Sequence, residues 1–197
     1  MVVGIGVRQG QTHHESAGAM TIPQKRLFLQ ASMAMTMVGF SFCLGSIASF
    51  VALNVIAGEN PTIEFSYWQR SFIDPIMRFV TMPGCWLLLF GNVGVFLALK
   101  GNRRSVNAVL LILSILILCN GLWIFSVAEN VSNLAVEQFQ MAEPLPAYSA
   151  KKTVEDAFGG MNMALLIVYL VTYVVTFSGH VDQAQRCDDA TNHGSRC

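Results

Sequence analysis

Polar side chains inside or at the ends of long apolar runs are the residues of this sequence best suited to chemistry. A guanidinium, a carboxylate and amides among apolar helices need hydrogen-bond partners, which a ligand or a neighbouring helix can supply. We predict that five such side chains reach one depth and line a ligand-binding cavity, and the alternative interpretation is hydrogen bonding from helix to helix. The five are Arg78, Asn120, Glu129, Asn130 and Asn162.

Residue patterns that identify enzymes are missing from the sequence. The cysteines form no CxxC pair, which argues against a thiol-redox enzyme, and those in apolar runs are expected to be packing residues. No histidine falls in an apolar run, so the helices offer no histidine ligands to a haem. GxSxG, HExxH and phosphate-loop motifs are absent as well. We therefore predict no metal site and no cofactor. The cysteines are Cys43, Cys85, Cys119, Cys187 and Cys197.

Four apolar runs must position the polar side chains. The clearest run, 106–127, has 22 residues and no charged side chain. As a helix it would be roughly 33 Å long, about the thickness of the hydrocarbon core of a bilayer. Only 12% of the chain is charged, against about 25% in an ordinary soluble domain. The runs lie at 27–57, 75–99, 106–127 and 156–178.

This pattern predicts an all-α fold, an integral membrane four-helix bundle that occupies residues 27–178. The lipid bilayer is then the first partner, and polar tails flank the bundle at 1–26 and 179–197. The net charge of zero provides no field that would attract nucleic acid. We therefore predict a multi-pass membrane protein in a membrane that the sequence does not specify.

Local signals set the expected helix starts. Asp74 stands directly before Pro75, a capping acceptor followed by a residue favoured at the first helical position, so the second helix is predicted to begin near Pro75. Thr153 stands three residues before Asp156 and predicts a similar start for the fourth helix. The segments before these two helices are then loops, at 58–71 and 128–152.

The distribution of Lys and Arg predicts the orientation. Eight lie on the side of both termini and of the loop between the second and third helices, whereas four lie on the other side. Since cytoplasmic segments carry the excess of positive charge, both termini should be cytoplasmic. This topology places the predicted cavity towards the outer leaflet.

Small residues in the first helix predict close helix packing. Ser41, Gly45 and Ser49 recur every four residues and share one face, which lets another helix approach closely. A neighbour in the same chain is the favoured interpretation, and a second copy in a homo-oligomer is the alternative. Asn92, deep in the second run, is expected to make a hydrogen bond between helices.

Short motifs resemble those of the anthrone-oxygenase-like family of small four-helix membrane proteins. They are Glu129-Asn130-Val131-Ser132-Asn133-Leu134, the Asn162 that opens the fourth helix, and the stretch from Trp68-Gln69-Arg70 to Pro75. The resemblance covers residues 27–178 and implies the same fold, although Met163 stands where members commonly have histidine. It also implies cofactor-independent oxygenation of a polycyclic aromatic substrate.

The sequence therefore leads to two alternative hypotheses about function, which belong to different classes of protein. The favoured one is a non-catalytic membrane protein that binds an apolar ligand or a membrane-protein partner through the predicted outer-leaflet cavity. The alternative is the oxygenase that the family resemblance implies.

Overall fold

The computed structural model describes the backbone of residues 22–58, 61–99 and 103–192, with side chains from 23 to 175 outside 103–105. All regular structure in those ranges is helical, as predicted for an all-α protein. The helices are α1 (Ile22–Ala57), α2 (Ile63–Ile76), a π-helical segment (Met77–Thr81), α3 (Met82–Ala98), α4 (Arg103–Met141) and α5 (Pro146–Asn192).

Four helical segments in the described part of the chain are long and apolar enough to cross a membrane. Because α2, the π-helical segment and α3 follow one another without a break, they count as one of the four. This confirms the predicted four-helix bundle, and it indicates a multi-pass membrane protein. The segments are Pro23–Ala57, Ile63–Ala98, Val106–Met141 and Pro146–Val175.

The predicted loop at 58–71 is wrong over most of its length. Gly58, in the left-handed conformation at φ 68°, ends α1. The next helix starts at Ile63, because the Thr62 side chain accepts a hydrogen bond from the amide of Phe65 at 3.1 Å. Pro75 therefore lies inside α2 and does not begin a helix.

The predicted loop at 128–152 is also mostly helical. α4 continues to Met141, and α5 begins at Pro146, where the missing proline amide costs no hydrogen bond. The buried Gln138 side chain accepts from the amide of Leu145 at 3.3 Å and holds the short turn together. Thr153 therefore lies within α5 and does not cap it.

The π-helical segment ends at Thr81, two residues before Pro83. A proline ring clashes with the carbonyl four residues earlier, which displaces the ordinary hydrogen-bond ladder. Here the amide of Met82 bonds to the carbonyl of Met77, and the Thr81 hydroxyl donates to the carbonyl of Ile76 at 3.3 Å, both five residues back. Single-turn π segments often occur at functional sites.

Helices α1 and α3 run antiparallel with their backbones in contact. A Cβ added at Gly39 would lie 2.7 Å from the carbonyl oxygen of Gly84, and one at Gly91 would lie 2.6 Å from the amide nitrogen of Thr36. Only glycine allows this approach, which is the usual way membrane helices gain van der Waals contact. In the rest of the bundle, α3 packs against α4, and α4 packs against both α2 and α5.

The face of α1 that carries Ser41, Gly45 and Ser49 was predicted to pack against another helix of the same chain, but a different face of α1 makes that contact. Ser41 is exposed, Ser49 is half-buried, and among the described residues no atom beyond the backbone of its own helix lies within 4 Å of a Cβ built on Gly45. α1 turns its other small face towards α3, so the intrachain interpretation is wrong. The alternative, a second copy on this face, stays a prediction.

The expected hydrogen bond of Asn92 is confirmed. Its amide nitrogen donates to the Tyr169 hydroxyl at 3.0 Å, and that hydroxyl donates back to the amide oxygen at 3.2 Å. Both side chains are buried, so the pair joins α3 to α5 inside the bundle. By contrast, α1 makes few contacts with α5 along its length.

Candidate ligand-binding crevice

A crevice of about 210 Å³ lies between α1 and α5. Val51 and Met163, which line it, are themselves exposed, so the crevice opens on the side of the bundle. Gly159 and Gly160 also line it, and in the described part of the chain a Cβ at either would meet no atom of another helix within 4 Å. Its apolar wall is formed by Ile47, Phe50, Val51, Ile73, Met77, Ile124 and Met163.

The polar end of the crevice is formed by Asn54, Arg70, Glu155 and Asp156. Arg70 of α2 and Glu155 of α5 form a two-pronged ion pair, with Nη1 to Oε1 at 2.7 Å and Nη2 to Oε2 at 2.6 Å. The Arg70 side chain is 4% exposed and that of Glu155 10%. The Nη1 to Oε1 contact is a hydrogen bond between charged groups, which is stronger than a neutral one and offsets part of the desolvation cost.

Asn54 connects three helices beside this ion pair. Its amide oxygen accepts from Gln69 Nε2 of α2 at 2.9 Å and from Lys152 Nζ of α5 at 3.5 Å, and its amide nitrogen donates to Asp156 Oδ1 at 3.4 Å. Lys152 also pairs with Asp156 at 3.4 Å. The polar end therefore carries two cationic and two anionic side chains, all of them paired.

Three buried polar atoms at or beside this end have no hydrogen-bond partner among the described residues. They are Oε1 of Gln69, Nε of Arg70 and Oε2 of Glu155, although this Oε2 lies 2.6 Å from Arg70 Nη2. A buried polar atom without a partner costs free energy, so such atoms mark places where water or a ligand group would be favoured. Arg70 and Glu155 line the crevice, so its polar end can offer one donor and one acceptor without breaking its ion pairs.

A second pocket of about 640 Å³ lies beyond the polar end, where α2 and α5 begin. Tyr148 and Lys152 of α5 line it together with Gln138 of α4, and Asp156 lines both the crevice and this end pocket. The layer that contains the Arg70–Glu155 pair thus separates the apolar crevice from an end pocket whose lining is mixed, polar and apolar.

Two of the five predicted site residues are buried where α4 meets α5. Asn120 Nδ2 donates to the carbonyl oxygen of Phe158 at 3.1 Å. Asn162 is 3% exposed, and its amide oxygen has no hydrogen-bond partner in the described ranges. Neither lines the crevice. For Asn120 the structure shows the helix-to-helix bond that was the alternative interpretation.

The other three predicted residues are exposed and do not join the site. Arg78, on the π-helical segment, lies 3.8 Å from Asp74 and 5.9 Å from the ring centre of Phe125. Glu129 is exposed, and the exposed Asn130 donates to the carbonyl of Ser126 in its own helix. The five side chains therefore do not converge on one cavity.

Sequence reasoning missed Arg70 and Glu155 because both were assigned to the edges of predicted loops. Thr62 followed by Ile63 and Glu64 was the available signal, a helix cap with an acid in the first turn. Continuing that helix would have placed Arg70 within an apolar helix. No sequence signal pairs it with Glu155.

Comparison with protein-family models, curated proteins and solved structures finds no match to this chain. The resemblance to the anthrone-oxygenase-like family, with the activity it implies, therefore stays a prediction. In the described ranges no group of three or more His, Cys, Asp or Glu side chains is placed to hold a metal ion.

Proposed function

We propose that this membrane protein binds an amphiphilic molecule, with its hydrocarbon chain in the crevice between α1 and α5. The observation that carries the proposal is that the apolar wall of the crevice ends at the buried Arg70–Glu155 pair. Ligand sites typically combine mostly apolar walls with a few well-placed polar groups.

The dimensions of the crevice support a single chain. Its volume of about 210 Å³ is below the ~300 to 1,000 Å³ typical of sites that enclose a drug-sized molecule. The exposed lining residues Val51 and Met163 leave its side open towards the region that lipid would occupy. A chain can therefore enter sideways from the bilayer while its polar head stays at the polar end.

The charges at the polar end support a head group with no net charge. Arg70 pairs with Glu155, and Lys152 pairs with Asp156. A charged head group would have to break one of these pairs, whereas a hydroxyl-bearing head could use the unpartnered Nε of Arg70 and Oε2 of Glu155, two residues that line the crevice. A single-chain alcohol or monoacylglycerol fits this chemistry.

The proposal is tested by filling the crevice. Gly159→Phe should place a ring in the space that the chain needs, because a Cβ there meets no atom within 4 Å. We expect at least a tenfold loss of bound monoolein, measured by native mass spectrometry after the protein is released from nanodiscs. The matched control is Gly45→Phe, since Gly45 has equally open surroundings outside the crevice.

Equal retention of monoolein by Gly159→Phe and wild type would contradict the proposed site. Similar losses in Gly159→Phe and Gly45→Phe would show that monoolein binds the general lipid-facing surface.

A further inference from the structure

Two cysteines that lie far apart in the sequence meet at the contact between α1 and α3. The Sγ atoms of Cys43 and Cys85 are 3.5 Å apart, and both residues are fully buried. The other cysteine with a described side chain, Cys119 on α4, is exposed. Sequence spacing offered no reason to pair Cys43 with Cys85, and the prediction for both was inert packing.

The helix backbones at this point are close enough for a covalent bond between the two sulfurs. A Cβ added at Gly84, the neighbour of Cys85, would lie 3.2 Å from both the amide nitrogen and the Sγ of Cys43. A disulfide needs an S–S distance near 2.05 Å, so the two sulfurs must approach by about 1.5 Å. A disulfide here therefore requires the two side chains to rotate towards each other within the existing helix contact.

We propose that Cys43 and Cys85 form a redox-modification site, a dithiol that hydrogen peroxide converts to a disulfide joining α1 to α3. One thiol attacks the peroxide, the O–O bond breaks, and a sulfenic acid and water form. The second thiol attacks the sulfenic sulfur, the S–S bond forms, and a second water leaves. The two sulfurs are oxidised, the peroxide is reduced to two waters, and the ladder of cysteine oxidation allows each step.

Burial determines which oxidant can act. Ordinary buried thiols react slowly because the thiolate is the reactive form. A small uncharged peroxide can enter through local opening of the helix contact, while a bulky charged disulfide reagent is excluded. Once one sulfur is oxidised, its partner is already within 3.5 Å, which favours the disulfide over further oxidation.

The experiment treats the full-length protein in nanodiscs with hydrogen peroxide and blocks the remaining thiols with N-ethylmaleimide in SDS. Peptide mass spectrometry then measures the disulfides. We expect a peptide pair linked through Cys43 and Cys85, at least tenfold more abundant than any disulfide that contains Cys119, and its loss in Cys43→Ser and in Cys85→Ser. The charged reagent 5,5′-dithiobis(2-nitrobenzoic acid) should leave Cys43 and Cys85 unmodified.

Copper–phenanthroline treatment separates the outcomes. If this strong catalyst links Cys43 to Cys85 and hydrogen peroxide does not, the proposed oxidation is wrong although the thiols are close. If neither treatment links them, the pairing itself is wrong. Peroxide oxidation of Cys119 in preference to the pair would also overturn the proposal. None of these results depends on the amphiphile-binding function.

Discussion

At the scale of single residues, the Arg70–Glu155 pair is the feature that sequence reasoning could least supply. The two residues lie 85 positions apart, on helices whose first turns were predicted to be loops. Asn54 of α1 also contributes to the polar end. A buried ion pair costs desolvation energy and is weak evidence for stability. Its position at the end of an apolar crevice supports the proposed ligand site.

Removing the charge of one partner of the Arg70–Glu155 pair should destabilise the protein strongly. Glu155→Gln leaves the Arg70 charge buried without its carboxylate partner, which costs about 3 to 5 kcal/mol in comparable buried pairs. The free energy of unfolding in detergent and SDS mixtures measures this loss. The control is Asp74→Asn in the exposed pair with Arg78, where the two side chains are 38% and 51% exposed and the expected change is about 0 to 1 kcal/mol. If both variants unfold alike, the pair is solvated and the polar end has been misdescribed.

The amides between α4 and α5 should act as structural bonds. Asn120→Leu removes the hydrogen bond to the carbonyl of Phe158 and should destabilise the bundle by roughly 0.6 to 2 kcal/mol. Monoolein retention per folded molecule should stay unchanged, because Asn120 lies outside the crevice. Glu129→Gln, at an exposed position, should change neither quantity. Loss of ligand retention in Asn120→Leu at unchanged stability would place Asn120 in the ligand site after all.

At the scale of helices, the sequence predicts where long helices lie better than which faces meet. α1 carries small residues on two faces, one with Ser41, Gly45 and Ser49 and another with Thr36 and Gly39. Periodicity alone does not distinguish them. The second face packs because α3 presents Gly84 and Gly91 opposite it, and this complementarity is a property of the pair of helices.

Gly91→Ala should therefore destabilise the bundle where Gly45→Ala does not. A Cβ at Gly91 would lie 2.6 Å from the amide nitrogen of Thr36 and 2.8 Å from the carbonyl oxygen of Ser32. Backbone atoms cannot move aside as flexible side chains do, so a loss of about 1 to 3 kcal/mol is expected, as for other overpacked sites. Unfolding in SDS measures both variants side by side. Greater damage from Gly45→Ala would restore the original packing assignment.

At the scale of the whole molecule, hydropathy predicts the four membrane helices because only helices satisfy the backbone groups within lipid. It underestimates their length, because α2, α4 and α5 extend into sequence with the polar and proline residues of a loop. The extensions of α4 and α5 pack on each other through Val131, Ala135 and Tyr148, and α2 packs on α4 where the rings of Tyr67 and Phe139 stack. Tertiary packing therefore determines these helix ends, which local sequence signals describe poorly.

The orientation in the membrane is a separate prediction. The eight-to-four distribution of Lys and Arg should keep both termini and residue 102 in the cytoplasm, with residue 145 outside. Reporter fusions that are active on only one side of the membrane measure this directly. An active external reporter at residue 102 would reverse the assignment, and the polar end would then face the cytoplasm.

The most direct measurement of the central claim is photolabelling of the protein in nanodiscs with a monoacylglycerol that carries a diazirine within its chain. If the chain occupies the crevice, the labelled residues should cluster on its walls, at Phe50 and Val51 of α1 and Met163 of α5. Phe79 and Phe90, which are 73% and 54% exposed elsewhere on the bundle, should be labelled at least tenfold less. Labelling spread over all exposed apolar residues in proportion to their exposure would contradict a specific site between α1 and α5.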